Sequence, residues 1–182
     1  GVQRAAVAAG YDLLVYASAL RNLASLGNRE QQQVGLLNGS VTDGLIIVTP
    51  HASSYRTAYP LVAVDPHSEN ADFASVLSTN FRGAVAAMQY LLGLGHRRIG
   101  FITGRRGDGI TEARLHGYRS ALLEASLPFD PDLVVDGDYG QPSGFRAATT
   151  LLSLNTRPTA IVASNDLTAM GAIEAAHALG LA

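Results

Sequence analysis

Apolar residues recur along this chain in two alternating rhythms. One is the three-to-four-residue spacing that puts a single stripe of a helix on a core; the other is the short unbroken run of a buried strand. The stretch from Asn80 to Gly104 shows both. Phe81, Ala84, Val85, Met88, Leu91 and Leu92 share one helical face, with Ser78, Thr79 and Asn80 as candidate N-caps. Gly95 suits the left-handed position that ends a helix, and His96, Arg97 and Arg98 complement the negative end of its dipole. Ile99 to Thr103 then reads as a buried strand, and Gly104 opens a glycine-rich loop.

The same alternation runs through the rest. Residues 1–9 are small, apolar and helix-like, with Gly10 as a stop. Tyr11–Tyr16 is a predicted strand, and Arg29–Leu37 a predicted helix carrying Val34 and Leu37. Asp43–Val48 is a continuously apolar, buried strand; Leu61–Val64 is another, after the Tyr59-Pro60 break. A polar loop over 66–75 leads to a short strand, Ser75–Ser78. After the turn at Arg105–Gly109, a helix is expected from Glu112 to Ser126 with Leu115, Tyr118, Leu122 and Ala125 inward, ended by Pro128 and Pro131. Leu133–Asp136 is a strand, and Pro142–Leu154 a helix with Phe145, Ala148, Leu151 and Leu152 inward. Thr159–Ala163 is a strand. Leu167–Leu179 is a helix with Met170, Ile173 and Ala176 or His177 inward, stopped at Gly180.

Strands alternating with helices imply right-handed crossovers and parallel sheets covered on both faces: an α/β fold. Leu61–Val64 and Ser75–Ser78 have no helix between them, which places a boundary near residue 78 where the chain leaves one sheet for another. Residues 1–78 and 79–182 are thus expected as two lobes. The length of 182 residues allows one domain or two small lobes. Hydrophobic residues make up 47% and charged residues 15%, which excludes a disordered chain. A net charge of −2 makes this stretch a poor DNA binder by itself. The absence of cysteine removes disulfides, thiolate catalysis and Cys-zinc sites. No apolar run reaches the roughly 20 residues of a membrane span.

In open parallel sheets, ligands bind beyond the carboxyl ends of the strands. That rule nominates Ser18, Val48 to His51, Asp65, Gly104 to Arg114, Asp138 with Tyr139, and Asn165 with Asp166. The set suits a polyol: carboxylates and Asn meet hydroxyls, an Arg fork donates, and an aromatic ring covers an apolar sugar face. Each residue also has a structural explanation. Arg114 sits near a helix start, Asp65 precedes Pro66 in a turn, and Tyr139 packs under a loop. Asn165 and Asp166 open a helix, and the cap is assigned here to Asp166, leaving Asn165 for the ligand. Ser18 and His51 are the weakest nominees.

Other chemistry finds little support. Gly104-Arg-Arg-Gly-Asp-Gly109 is neither G-x-G-x-x-G nor a P-loop. His67-Ser-Glu-Asn-Ala-Asp72 contains metal-ligand types without a helical histidine pair, and reads as a solvated loop. Asp130, Asp132, Asp136 and Asp138 have the spacing of turns, with no nucleophile beside them. Neither G-x-S-x-G nor H-E-x-x-H occurs. No catalytic residue, metal or cofactor is expected.

Leu94-Gly-His-Arg-Arg-Ile-Gly-Phe-Ile-Thr-Gly104, followed by Ala113-Arg-Leu-His-Gly-Tyr-Arg119, resembles the effector-binding core of the lactose/galactose-repressor family of bacterial transcription regulators. Asp43-Gly-Leu-Ile-Ile47, Val64-Asp-Pro66, Ser143-Gly-Phe145, Pro158-Thr-Ala-Ile161 and Ser164-Asn-Asp166 extend the match in family order over nearly the whole chain. The resemblance implies two Rossmann-like lobes of the type I periplasmic-binding-protein kind, incomplete at both ends. The first strand would lie before residue 1, and further elements after residue 182. Residues 1–182 alone are therefore expected to be marginally stable. Arg114 matches the family's effector-clamping arginine, and Asp65 a first-lobe position that reaches the effector in some members. Tyr139 falls where an aromatic stacks on the ligand, and Asn165 where a polar group meets its hydroxyls. Val48 departs from the polar residue of lactose-type members, against a lactose-like specificity.

The function implied is a cytoplasmic, homodimeric regulator. A small-molecule effector, most simply a sugar, closes the cleft, and operator DNA is bound by a helix-turn-helix domain outside this chain. No membrane partner is expected. The alternatives are a periplasmic sugar-binding protein of a transport system, with the same fold and no DNA, and a doubly wound enzyme acting on a phosphorylated sugar.

Overall fold

A computed structural model describes residues 1–17, 26–37, 41–68 and 71–181. The first helix is α1 (Val2–Ala8). The strand expected at Tyr11–Tyr16 is not formed: residues 11–17 lie outside regular structure and are exposed. The run has strand propensity, but a strand exists only when a neighbour takes its N–H and C=O groups, and among the described residues none pairs with it. Helix α2 (Leu26–Leu37) starts earlier than expected and turns Val34 inward.

Two three-stranded parallel sheets follow. The first contains β1 (Leu45–Val48), β2 (Leu61–Val64) and β3 (Ala74–Val76), in that spatial order. Leu45 pairs with Leu61, and Val62 with Ala74. Expected as fully buried, β1 is an edge strand among the described residues, and its Ile46 and Val48 are exposed because no described helix covers that face. β3 ends two residues before the predicted strand does.

Helix α3 (Asn80–Gly93) leads into the second sheet and follows its predicted pattern closely. Ala84 and Met88 are buried, although Phe81 at the first turn is partly open. Gly95 takes φ +93°. The N–H groups of Gly95 and His96 return to the carbonyls of Leu92 and Leu91 at 3.0 and 3.1 Å, a Schellman closure. Arg97 adds its guanidinium to the Leu92 carbonyl, as expected of a helix-end cation. Arg98 instead pairs with Asp130 at 2.8 Å.

The second sheet places β4 (Ile99–Ile102) between β5 (Val134–Val135) and β6 (Ala160–Ala163). All four residues of β4 are buried, so the stretch around it does organise this half. Helix α4 (Gly109–Glu124) begins three residues before Glu112, capped by the Asp108 side chain, and Ala125 ends it exposed rather than inward. A 3-10 turn (Pro131–Leu133) introduces β5. Helices α5 (Gln141–Leu152) and α6 (Asp166–Ala178) pack tightly on each other. The inward face of α6 is Thr168, Gly171 and Ala175, not Met170 and Ile173, which are exposed. The reason is distance. A Cβ on Gly171 would lie 2.6 Å from the Phe145 nitrogen, and one on Gly144 2.8 Å from the Thr168 Cα. Only small residues permit that approach.

Candidate functional site

Every strand in both sheets is parallel to its neighbours, so within each sheet the strand exits gather at one edge. Three of those exits hold non-glycine residues in the left-handed region: Thr49 after β1 (φ 51°), Asp65 after β2 (φ 48°) and Tyr139 after β5 (φ 70°). The conformation disfavours a side-chain-bearing residue by about 1 kcal/mol or more, and it clusters where chains are held for recognition.

The nominated residues fall on one continuous polar path. Asp65 accepts from the backbone N–H and the hydroxyl of Ser78. Asn80 donates to the Ser78 hydroxyl at 3.3 Å and accepts from the Arg114 Nε at 3.0 Å. Arg114, half-buried on α4, also donates to the Ser164 carbonyl at the exit of β6. The next residue, Asn165, donates to the Tyr139 carbonyl at 2.9 Å. The Tyr139 hydroxyl reaches Thr111 at 2.7 Å and donates to Asp108 at 3.1 Å. Asp108 faces His67 Nε2 at 3.4 Å, and His67 stacks on His51 with ring centroids 4.0 Å apart. His51 Nδ1 lies 3.3 Å from Glu30 Oε1, in ion-pair range but without hydrogen-bond alignment. Five of the six nominees are thus linked, and Ser18 lies outside the described residues.

Several assignments change in detail. The cap of α6 is Asn165, whose Oδ1 accepts from the Thr168 N–H at 3.0 Å; Asp166 is the first helical residue. Both ends of the Asn165 amide are therefore held by the protein. Tyr139 lies against Gly104, where any Cβ would collide with its ring. Burial, reinforced by the Asp108 carboxylate, pushes its phenol above the usual range, while the Thr111 hydrogen bond acts the other way. Asp138 is tied into its own turn: the Ser143 hydroxyl, then the Gly140 N–H at 2.8 Å, hold its carboxyl below the usual range. Glu30 organises the loop after β1, accepting from the N–H groups of His51 and Ala52 and from the Tyr55 hydroxyl. Burial, then that hydrogen bond, raise the Tyr55 phenol.

Reading the sequence singled out neither His67, Asp108 nor Thr111. Asp108 lay within a nominated loop, and its type before a helix was the available signal. His67 was read as part of a solvated loop, and nothing local indicates that its ring stacks on another. A cavity of about 660 Å³ opens beside this path, lined by Asp65, His67, Ser78, Asn80, Phe73 and Phe81 among others. Among the described residues, no group of three His, Cys, Asp or Glu side chains is placed to hold a metal ion. Among them, too, no helix is long and apolar enough to cross a membrane.

Two parallel sheets, each flanked by helices, belong to the type I periplasmic-binding-protein class of α/β folds. Residues 1–182 match the family of periplasmic binding proteins and the sugar-binding domain of the LacI family, and the chain belongs to that family. It corresponds to the effector-binding domain of LacI-family regulators. The HTH-type transcriptional repressor PurR of Proteus mirabilis is 32% identical over 188 residues, covering 99% of this chain and 54% of that protein. The chain thus spans about half the length of the curated relatives it matches. Those relatives are transcriptional repressors, not enzymes, which removes the enzyme alternative. A putative ribose operon repressor from Burkholderia thailandensis superposes with a TM-score of 0.79 at 32% identity, over 100% of this chain and 67% of that one. A transcriptional regulator CelR–cellobiose complex superposes at 0.73 with 29% identity, over 86% and 50%.

Proposed function

We propose that this chain senses a small, hydroxyl-rich molecule, a sugar, in the cleft between two lobes divided near residue 78, and thereby controls operator binding by a helix-turn-helix domain outside this chain. The protein acts as a homodimer in the cytoplasm, where its operator is. Asp65, Arg114, Tyr139 and Asn165 form the effector site, with Ser18 and His51 at its margin. The observation that carries this proposal is the polar path from Asp65 through Arg114 and Asn165 to Tyr139, which joins strand exits of both sheets beside one cavity.

The cavity's chemistry favours a hydroxyl-rich ligand. Asp65 supplies a carboxylate acceptor, and Ser78, Thr79 and Asn80 supply hydroxyl and amide groups. The Arg114 guanidinium gives its Nε to Asn80 and its Nη1 to Ser164. A carboxylate among hydroxyl and amide groups suits a polyol, and Arg82 on the same cavity wall is the cation that a phosphorylated or carboxylated sugar would engage. Phe73 and Phe81 offer rings for an apolar sugar face. Among the relatives, one structure holds cellobiose and another belongs to a putative ribose operon repressor, which makes these two sugars the first probes.

The test is thermal melting of the intact protein with D-ribose, cellobiose and a wider sugar panel, with Arg114→Ala in parallel. Ligand at about 100 times its Kd adds roughly 2.7 kcal/mol. For a domain of this size that raises Tm by roughly 5–10 °C. We expect one sugar to do so in the parent and to fail in the variant. Absence of a shift across the panel would remove the sugar assignment. Operator affinity that stays constant at saturating sugar would remove the regulatory one.

A further inference from the structure

Asp108 stands where three parts of the molecule meet. It is 5% exposed and caps α4 by accepting from the Ile110 N–H at 3.1 Å. Its other carboxylate oxygen accepts from the Tyr139 hydroxyl at 3.1 Å and faces His67 Nε2 at 3.4 Å. His67 comes from the loop after β2, in the first sheet's half of the chain. Its carbonyl lies 3.3 Å from the point where a side chain on Gly109 would begin, so that loop rests directly on the first turn of α4. The histidine is itself braced. His51 stacks on it at an interplanar angle of 18°, the His67 N–H donates to the Pro50 carbonyl at 2.9 Å, and Glu30 holds the 51–52 backbone from behind.

A buried carboxylate deprived of a partner is costly, and its remaining neighbours move to compensate. Withdrawing His67 leaves Asp108 with the cap and the Tyr139 hydroxyl alone. The Tyr139 ring has one seat, over Gly104, and one anchor, its hydroxyl between Asp108 and Thr111.

We propose that Asp108 is a positioning residue that ties the orientation of the Tyr139 ring to the seating of the 65–68 loop, through His67 and its stacked partner His51. The inference rests on the reading of Tyr139 as an effector-site residue. It extends that reading by naming what sets the ring and why its placement follows the approach of the two halves. When the loop seats, His67 completes the environment of Asp108 and the ring is fixed; when it withdraws, the anchor loosens.

The experiment places 3-fluorotyrosine at position 139 of the intact protein and follows its fluorine resonance. The parent gives one line. His67→Leu is expected to shift and broaden or split it. His67→Gln, whose amide can donate to Asp108, restores most of the parent line, which a merely space-filling role for His67 would not predict. Asp108→Asn keeps a good helix cap and disturbs the line as His67→Leu does. The double variant adds little, because both changes break one chain of contacts. Glu112→Gln, an exposed acid in the same helical turn, leaves the line in place. A line unchanged in His67→Leu overturns the proposal, and that variant decides alone if Asp108→Asn fails to fold.

Titration with D-ribose and cellobiose separates this inference from the function it rests on. If neither sugar moves the parent line while His67→Leu does, the coupling stands and the sugar assignment falls. If a sugar moves the parent line and His67→Leu does nothing, the assignment stands and the coupling falls.

Discussion

β4 and β1 are both four-residue apolar strands in parallel sheets, yet they live in different environments. Ile99–Ile102 is buried throughout, between two neighbours and under helices on both faces. Among the described residues, Leu45–Val48 has one neighbour and leaves Ile46 52% and Val48 66% exposed. Among the described residues, only Val34, Pro50 and Ala63 of the buried apolar side chains lie in residues 1–78. An apolar run therefore says that a strand wants covering, and the helices available decide whether it is covered. The same run contributes several kcal/mol in one half and little in the other.

The comparison can be broken by direct substitution. Ile102→Ala, at a site with no exposure, is expected to cost about 3–4 kcal/mol, against under about 1 kcal/mol for Ile46→Ala, in denaturant unfolding. Equal costs would mean that β1 is buried in solution. Amide exchange offers an independent reading, with β4 protected on the order of 100-fold longer than β1.

Next in size is Gly171→Ala, which places a methyl 2.6 Å from the Phe145 nitrogen and is expected to cost about 2–3 kcal/mol. The identical change at Gly35 on α2, where nothing lies within 4 Å, should stabilise by roughly 0.5–1 kcal/mol. Opposite signs for one substitution would sharpen the contrast between a close-packed helix pair and an open helix face.

Alkaline titration reads raised phenols in both halves, Tyr55 in the first and Tyr139 and Tyr118 in the second, and Tyr118 gives the packed core. The Tyr118 hydroxyl donates to the Ile99 carbonyl at 2.9 Å, and burial, chiefly, pushes its phenol up to about 12. The unfolded phenol ionises near 10. Between those values the unfolded chain has lost a proton that the folded one keeps. Stability is then complete below pH ~10 and falls by roughly 1.4 kcal/mol per unit toward about 12. Tyr118→Phe should remove the Tyr118 share of that slope, leaving the shares of Tyr55 and Tyr139, while costing about 1 kcal/mol at neutral pH.

Local features were legible in the sequence and meetings between distant segments were not. The Schellman closure at Gly95 depends on residues within one turn, and the pattern found it. The run Tyr11–Tyr16 has strand chemistry, but pairing is settled by what lies beside it. On α6 the large apolar residues suggested the wrong face, because Gly144 and Gly171 draw the two helices so close that only small side chains fit. At the site, the strand-exit rule found Asp65, Arg114, Tyr139 and Asn165. It covered Asp108 only as one residue of the Gly104–Arg114 stretch and left out His67; the significance of both arises only when the two loops touch.

The left-handed backbone at Thr49, Asp65 and Tyr139 carries a consequence for laboratory evolution. Glycine or asparagine would relax each position, so a selection for heat resistance alone should enrich them there early. If the proposed effector site holds, the winners at 65 and 139 would lose a carboxylate and an aromatic ring that it uses, trading recognition for durability. A library screened for both traits should leave those two positions alone and accept the exchange at Thr49, which would make tolerance at these three sites a map of where the molecule keeps its rigidity for its ligand.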